Sequence, residues 1–69
     1  MKISARNHFT GTVKNLVKGP VSTEVEVSVA PGINVLAVIT TASADNLGLA
    51  VGKQAHVFIK ASSVLVAVD

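Results

Sequence analysis

Apolar and polar residues alternate along most of the chain, and this pattern predicts five β-strands. Residues 2–14 alternate strictly, and the positions expected to face inward are Ile3, Ala5, Asn7, Phe9, Gly11 and Val13. A period of two residues is typical of a half-buried strand. Because this strand is longer than usual, a bend is expected within it, and Gly11 is the residue that permits one.

The next two strands are predicted to form a hairpin after a turn at Lys18-Gly19-Pro20. In residues 21–29 the inward positions are the odd ones: Val21, Thr23, Val25, Val27 and Val29. Pro31-Gly32 fits a type II turn, because proline presets the second φ and glycine accepts a positive third one. The third strand, 33–41, is apolar on both faces and so needs a neighbour, most simply another subunit.

A short helix is predicted between the third and fourth strands. Ser43 is the expected N-cap, and Gly48 is the expected stop. Residues 54–60 and 62–68 then predict two more strands. The order indicates an all-β fold: a five-stranded barrel of the oligonucleotide/oligosaccharide-binding (OB) type with one short helix between strands 3 and 4. We expect residues 1–69 to form a single domain.

Composition adds an expectation of self-association. Of 69 residues, 49% are hydrophobic and 14% are charged, and there is no cysteine. A domain of this size buries only about 60% of the surface that its unfolded chain exposes. Because no disulfide can compensate, we expect a homo-oligomer.

Location and charge exclude other classes of protein. The longest uncharged run, between Glu26 and Asp45, contains Pro31-Gly32 and several polar residues, so no membrane-spanning helix is predicted. The first residues include no apolar stretch that could serve as a signal sequence, which predicts a cytoplasmic protein. The net charge of +2 is too small to indicate a nucleic-acid partner.

Side chains that could support catalysis or hold a metal ion have simpler interpretations. Glu24 and Glu26 share the outer face of strand two, where solvation explains them better than acid–base catalysis. His8 and His56 have no Cys or Asp at ligand spacing, so solvated histidines are favoured over a metal site. No nucleophile elbow, dinucleotide fingerprint or P-loop occurs. We therefore predict that the protein is not an enzyme.

A module that binds single-stranded nucleic acid is the alternative function for such a barrel. Modules of this kind stack bases on exposed aromatic side chains. The chain has two Phe and no Trp or Tyr, and Phe9 is predicted to face inward. The nucleic-acid hypothesis is therefore weak, and a purely structural oligomer is a third possibility.

A set of hydrogen-bond donors without matching acceptors suggests a ligand. The donors come from Ser4 and Arg6 in strand one, from Lys60, Ala61, Ser62 and Ser63 at a strand junction, and from Thr40, Thr41 and Ser43 before the helix. Such donors bind anions, and two cations would neutralise a dianion. Each residue alone fits a solvated charge, a cap or a turn equally well, and the spacing does not show whether they converge.

Three stretches of the chain resemble a known family. Ser-Ala-Arg-Asn at residues 4–7, followed by Gly11-Thr12-Val13, resembles the opening signature of the molbindin family, the small molybdenum-pterin-binding (Mop) proteins. Leu47-Gly48-Leu49 with Gly52, and Ile-Lys-Ala-Ser-Ser-Val at residues 59–64, resemble two further stretches of that family in the same order. The resemblance covers essentially the whole chain.

The resemblance implies a hexamer, a trimer of dimers, that binds molybdate or tungstate at subunit interfaces for molybdenum storage and homeostasis. A dimer-interface site would take Ser4, Arg6, Lys60, Ala61 and Ser62 from one chain, and Thr40 and Ser43 from its neighbour. A second site, near the three-fold axis, would take Gly19, Pro20, Val21 and Ser22. Pro20 has no N–H group, which weakens this second site.

Overall fold

The protein is an antiparallel half-barrel with one short helix. The computed structural model describes all 69 residues. Its elements are β1 (Asn7–Lys18), β2 (Ser22–Ala30), β3 (Ile33–Thr40), α1 (Thr41–Leu47), β4 (Gln54–Ile59) and a 3-10 turn at Ala61–Ser63. The strands form a 4-stranded sheet in the order β3-β2-β1-β4. The prediction of an all-β fold with a helix between the third and fourth strands is confirmed, and four of the five predicted strands form.

Strand β1 is shared by two partners. Residues Asn7 to Thr12 pair with β4, and residues Thr12 to Lys18 pair with β2. Gly11 lies where β1 passes from one partner to the other, and a Cβ atom there would come within 2.2 Å of the Ser28 carbonyl oxygen. Only glycine lets the β2 backbone approach this closely.

A β-bulge between Val13 and Asn15 then shifts the register of β1 against β2. The extra residue of the bulge reverses which positions face inward, so that Val13 and Leu16, three residues apart, both pack in the core. Strand β1 continues to Lys18, beyond the residue 14 at which the strict alternation ends.

The β2–β3 hairpin forms as predicted. The two strands pair from Ser22 to Ala30 with one register shift between Ser28 and Ala30. Gly32 in the connecting turn has φ 74°, as a type II turn requires at its third position. The predicted inward positions Thr23, Val25 and Val27 are buried. Together with Val13 they make the centre of a small core, so this half of the chain follows its period-two pattern.

The helix begins earlier than predicted and ends where expected. Its N-cap is Thr40 rather than Ser43, because the Ser43 amide donates to Thr40 Oγ1 at 3.0 Å. Gly48 ends the helix in the left-handed region, with φ 65°. Ala44 is the buried residue that holds the helix against the sheet. None of the helices has the length and apolar character needed to cross a membrane.

Two stretches predicted to be strands do not join the sheet. Residues 2–6 precede β1, and their backbone makes no hydrogen bond to the rest of the chain backbone. In place of the predicted fifth strand, 62–68, the chain forms the 3-10 turn and then runs on with no ladder partner. Leu65, Val66 and Val68 are consequently 95%, 90% and 94% exposed. A strand exists only where another strand pairs with it, and none in this chain meets these two segments.

Several apolar residues that were expected to be covered are exposed, each because of its place in the fold. Ile3 is 55% exposed because residues 2–6 lie outside the sheet, and Val21 is 73% exposed because it belongs to the turn before β2. Phe9 is 41% exposed at the end of the sheet where only β1 and β4 pair. The third strand is apolar on both faces, and its outward Leu36 and Val38 are 61% and 69% exposed.

Candidate functional site

An open cavity lies where the β1–β4 ladder ends. Its volume is about 460 Å³, and its lining is formed by Ile3, Ser4, Ala5, Arg6, Phe58, Lys60 and Ala61. Asn7 and Ile59 are the last paired residues of the ladder, and the Asn7 amide donates to the Ile59 carbonyl at 3.2 Å. Because the two strands are antiparallel, the segment before Asn7 and the segment after Ile59 leave the sheet side by side. This register brings Arg6 and Lys60 to one cavity.

The charged groups of this cavity are both cations and neither has a partner. Arg6 and Lys60 form no ion pair and no side-chain hydrogen bond within the chain, and no carboxylate lines the cavity. The ion pair of the chain is elsewhere, between Lys18 and Asp45. Two unpaired cations on one cavity wall repel each other, and an anion bound between them would remove that repulsion.

Backbone amides add further donors at both ends of the cavity. The N–H groups of Ser4, Ala5 and Arg6 donate to no backbone carbonyl of the chain. In the 3-10 turn, Ser63 N–H donates to the Lys60 carbonyl at 2.9 Å and Val64 N–H donates to the Ala61 carbonyl at 3.3 Å. The N–H groups of Ala61 and Ser62 stay free, as expected at the start of a helical turn.

The structure thus unites four of the predicted dimer-interface residues: Ser4, Arg6, Lys60 and Ala61. Ser62 is the next residue of the 3-10 turn but does not line the cavity. Thr40 and Ser43 lie at the start of α1 and do not line the cavity either. Their side chains bond to each other, because Thr40 Oγ1 donates to Ser43 Oγ at 2.7 Å.

The residues of the second predicted site form the turn between β1 and β2, Gly19 to Val21, and the first residue of β2, Ser22. Thr41 fastens this turn to the start of α1: its hydroxyl donates to the Gly19 carbonyl at 2.6 Å, and its N–H donates to the Val21 carbonyl at 2.8 Å. Within the turn, Gly19 N–H donates to the Ser22 carbonyl at 2.8 Å. Since Pro20 has no N–H and that of Gly19 is occupied, the turn offers fewer donors than the cavity.

A buried hydroxyl completes this connection. Thr23 is fully buried, and its Oγ1 lies 2.8 Å from that of Thr41. Because the single hydroxyl proton of Thr41 goes to the Gly19 carbonyl, Thr23 is the donor of this bond. The chain of hydroxyls makes Thr41 a structural tie between helix and turn, which leaves its hydroxyl occupied.

Phe58 also lines the cavity, which was not predicted from the sequence. Phe58 stacks on His8 with ring centroids 4.5 Å apart and an interplanar angle of 9°. The signal for its position was present, because Phe58 is only two residues before Lys60, near the end of β4. His8 and His56 are both exposed, and they also contact each other, which the sequence did not predict: His8 Nε2 lies 3.0 Å from His56 Nδ1.

Comparisons with known proteins agree on one family. The TOBE domain model matches residues 3–66. The chain is 39% identical over 69 residues to the probable molybdenum-pterin-binding protein of Haemophilus influenzae, and the match covers all of both proteins. It is also 45% identical over 69 residues to the molybdenum transport protein ModE of Azotobacter vinelandii, but spans only 26% of that protein's length.

Two solved structures also resemble the chain. MopII from Clostridium pasteurianum superimposes with a TM-score of 0.91 at 33% identity, over 97% of this chain and 100% of that one. The cytoplasmic molybdate-binding protein ModG, in a crystal form with molybdate bound, gives 0.83 at 48% identity over 88% of this chain and 43% of that one. The chain carries a TOBE domain and belongs to the molbindin family of small molybdenum-pterin-binding (Mop) proteins.

Proposed function

We propose that this protein binds molybdate or tungstate and serves, without catalysing a reaction, in molybdenum storage and homeostasis in the cytoplasm. The observation that carries the proposal is the convergence of Arg6 and Lys60, both unpaired, on one cavity. The names of its relatives support the choice of ligand, since they include molybdenum-pterin-binding proteins and a structure of ModG with molybdate bound.

The donor set suits a tetrahedral oxyanion. Molybdate and tungstate are dianions that offer only hydrogen-bond acceptors, and the cavity offers the Ser4 hydroxyl, the Arg6 guanidinium and the Lys60 ammonium. The guanidinium can donate two parallel bonds to one oxyanion, while the ammonium acts as a point charge. The free N–H group of Ala61, which also lines the cavity, is a further donor. No carboxylate in the cavity competes with the anion.

We propose that a second copy of the chain completes this site. The cavity is open and much larger than one tetrahedral anion, so a single chain supplies only part of the anion's surroundings. Thr40 and Ser43, which lie outside the cavity of their own chain, would contribute hydroxyls to the site of a neighbour. Anion bound between copies would stabilise the assembly by mass action.

Uncovered apolar surface supports the homo-oligomer. The outward face of β3 exposes Leu36 and Val38, and the stretch after the 3-10 turn exposes Leu65, Val66 and Val68. These side chains gain about 1.5–3 kcal/mol each when they are fully buried. We propose that contacts between copies bury them, and that the assembly is a hexamer built as a trimer of dimers.

The turn at Gly19, Pro20, Val21 and Ser22 is proposed as a second, weaker anion site near the three-fold axis. Two of its four residues have no amide to offer, because Pro20 lacks an N–H group and that of Gly19 is bonded to the Ser22 carbonyl. Val21 N–H and the Ser22 hydroxyl are donors that this turn could still offer. We expect this site to fill only after the cavity.

Equilibrium dialysis against molybdate, tungstate and sulfate tests the proposal. We expect the protein to retain molybdate or tungstate and to retain sulfate more weakly, and the protein as purified to contain molybdenum or tungsten on elemental analysis. Failure to retain either anion, or equal retention of sulfate, would contradict the proposal. Retention of single-stranded DNA that weakens with salt would instead favour the nucleic-acid-binding alternative.

A further inference from the structure

The two histidines of the chain form a pair on the outer face of the β1–β4 ladder. We propose that His8 and His56 are a two-nitrogen site for a divalent transition-metal ion, with Cu²⁺ and Ni²⁺ as the best-fitting cations. The site is separate from the oxyanion cavity, and the proposal does not depend on molybdate binding. Neither histidine lines that cavity.

The distance between the two ring nitrogens fits a chelate. His8 Nε2 and His56 Nδ1 are 3.0 Å apart. Nitrogen ligands about 2.0–2.1 Å from a metal ion are separated by roughly 2.9 Å when they are adjacent in a square-planar or octahedral complex, and by roughly 3.3 Å in a tetrahedral one. At this distance the two nitrogens share a hydrogen bond in the metal-free chain, and a metal ion would take the place of the shared proton. Cu²⁺ fits such a site because it is the divalent first-row ion that nitrogen ligands bind most tightly, and Ni²⁺ precedes it in the same series.

Neighbouring side chains hold both rings in place. His8 stacks flat on Phe58, with ring centroids 4.5 Å apart, which restricts rotation of the imidazole. Thr10 Oγ1 lies 3.2 Å from His56 Nδ1, so the nitrogen that faces His8 has a second polar contact. The pairing of β1 with β4 sets His8 opposite Phe58 and Thr10 opposite His56. Rings that are already oriented lose little freedom when they bind a metal ion.

The chemistry of the pair also limits the affinity. Both imidazoles are exposed, so a hydrated cation can reach them and keep water in its other positions. The cluster holds no carboxylate, and no group of three or more His, Cys, Asp or Glu side chains in the chain could hold a metal ion. Cu²⁺ and Ni²⁺ bind imidazole nitrogen well, whereas Mg²⁺ and Ca²⁺ need oxygen ligands that this pair does not offer.

Calorimetric titration of the full chain, free of any polyhistidine tag, with NiCl₂ and separately with CuSO₄ tests the site. We expect one ion to bind per chain. His8→Gln and His56→Gln should each weaken binding by roughly 100-fold, because two linked ligands bind far more tightly than either alone. The double variant, which keeps neither imidazole, should bind at least as weakly as either single one. Nitrogen hyperfine splitting in the electron paramagnetic resonance spectrum of the Cu²⁺ form should report imidazole ligands.

Glu24→Gln is the matched control, because it removes an exposed potential metal ligand on β2 that is outside the pair. It should bind both ions as the unmodified protein does. No binding by the unmodified protein, or unchanged binding by either histidine variant, would overturn the proposal. A loss confined to one histidine variant would overturn it as well, since a chelate needs both rings. Circular dichroism of each variant shows whether the sheet is intact.

Discussion

Removal of the Arg6 side chain should separate anion binding from folding. Arg6 precedes β1, is exposed, and makes no ion pair or side-chain hydrogen bond within the chain. Arg6→Ala therefore leaves no buried group without a partner. We expect the free energy of unfolding of the anion-free protein to change by less than about 0.5 kcal/mol.

The effect on anion binding follows from the guanidinium group. Each hydrogen bond to a charged partner contributes about 1.5–3 kcal/mol, and the guanidinium can donate two such bonds to one oxyanion. The loss of both costs at least about 3 kcal/mol, which raises the Kd for molybdate roughly 150-fold. Arg6→Lys keeps the charge but loses the fork, so its Kd should lie between those of the other two proteins.

Equilibrium dialysis at constant ionic strength gives the Kd of each protein, and unfolding in urea gives its stability. Lys14→Ala is the matched control, because it removes an exposed cation of β1 that does not line the cavity. An equal rise of the Kd in Arg6→Ala and Lys14→Ala would refute the reasoning, since only the net charge would then matter. An unchanged Kd in Arg6→Ala would refute the placement of the anion.

Three further predictions concern the sheet, the helix and the exposed apolar surface. Gly11→Ala should lower stability to urea by about 1–3 kcal/mol, because its Cβ atom would lie 2.2 Å from the Ser28 carbonyl oxygen; equal stability would show that β2 can move away. Thr41→Val should cost about 1–3 kcal/mol by the same measurement, because it orphans the buried Thr23 hydroxyl, whereas Thr41→Ser should not. Leu65→Asp should reduce the assembly to single chains in light scattering, whereas Val51→Asp, at another exposed position, should leave its mass unchanged. An unreduced mass for Leu65→Asp would exclude Leu65 from the interface.

Local patterns predicted the central part of the fold because local interactions decide it. The β2–β3 hairpin needs only alternation and a turn, and Pro31-Gly32 supplies a turn in which Gly32 has a positive φ. The end of the helix at Gly48 is equally local. The β-bulge at Val13/Asn15 was not predictable, because it is a feature of how β1 pairs with β2 and no local signal in β1 marks it.

The flanking strands were mispredicted because a strand depends on its partner as well as on its own sequence. Residues 2–6 alternate, and residues 64–68 are a continuous apolar run rich in valine, yet neither segment is paired within the chain. The sequence of these two segments favours an extended strand, but it does not indicate which other strand would pair with them. The proposed oligomer would supply one.

Residue types and the resemblance to a family predicted which residues belong to the candidate site. Only the structure shows that some of them line one cavity. Arg6 and Lys60 are far apart in the sequence, and only the antiparallel pairing that ends at Asn7 and Ile59 brings them to one cavity. The contact between His8 and His56 depends on the same pairing. Spacing along the chain gives no register between strands that are separated by two others, so neither meeting could be deduced beforehand.

The pairing of β1 with β4 also affects the order in which the parts of one chain fold. The β2–β3 hairpin closes a loop of a few residues, whereas the Asn7–Ile59 contact joins residues 52 apart and closes the longest loop of the sheet. Non-local pairs of this kind form late, so the two walls of the cavity meet near the end of folding. A bound oxyanion would therefore leave the folding rate nearly unchanged and slow unfolding, because it stabilises contacts that are absent from the transition state.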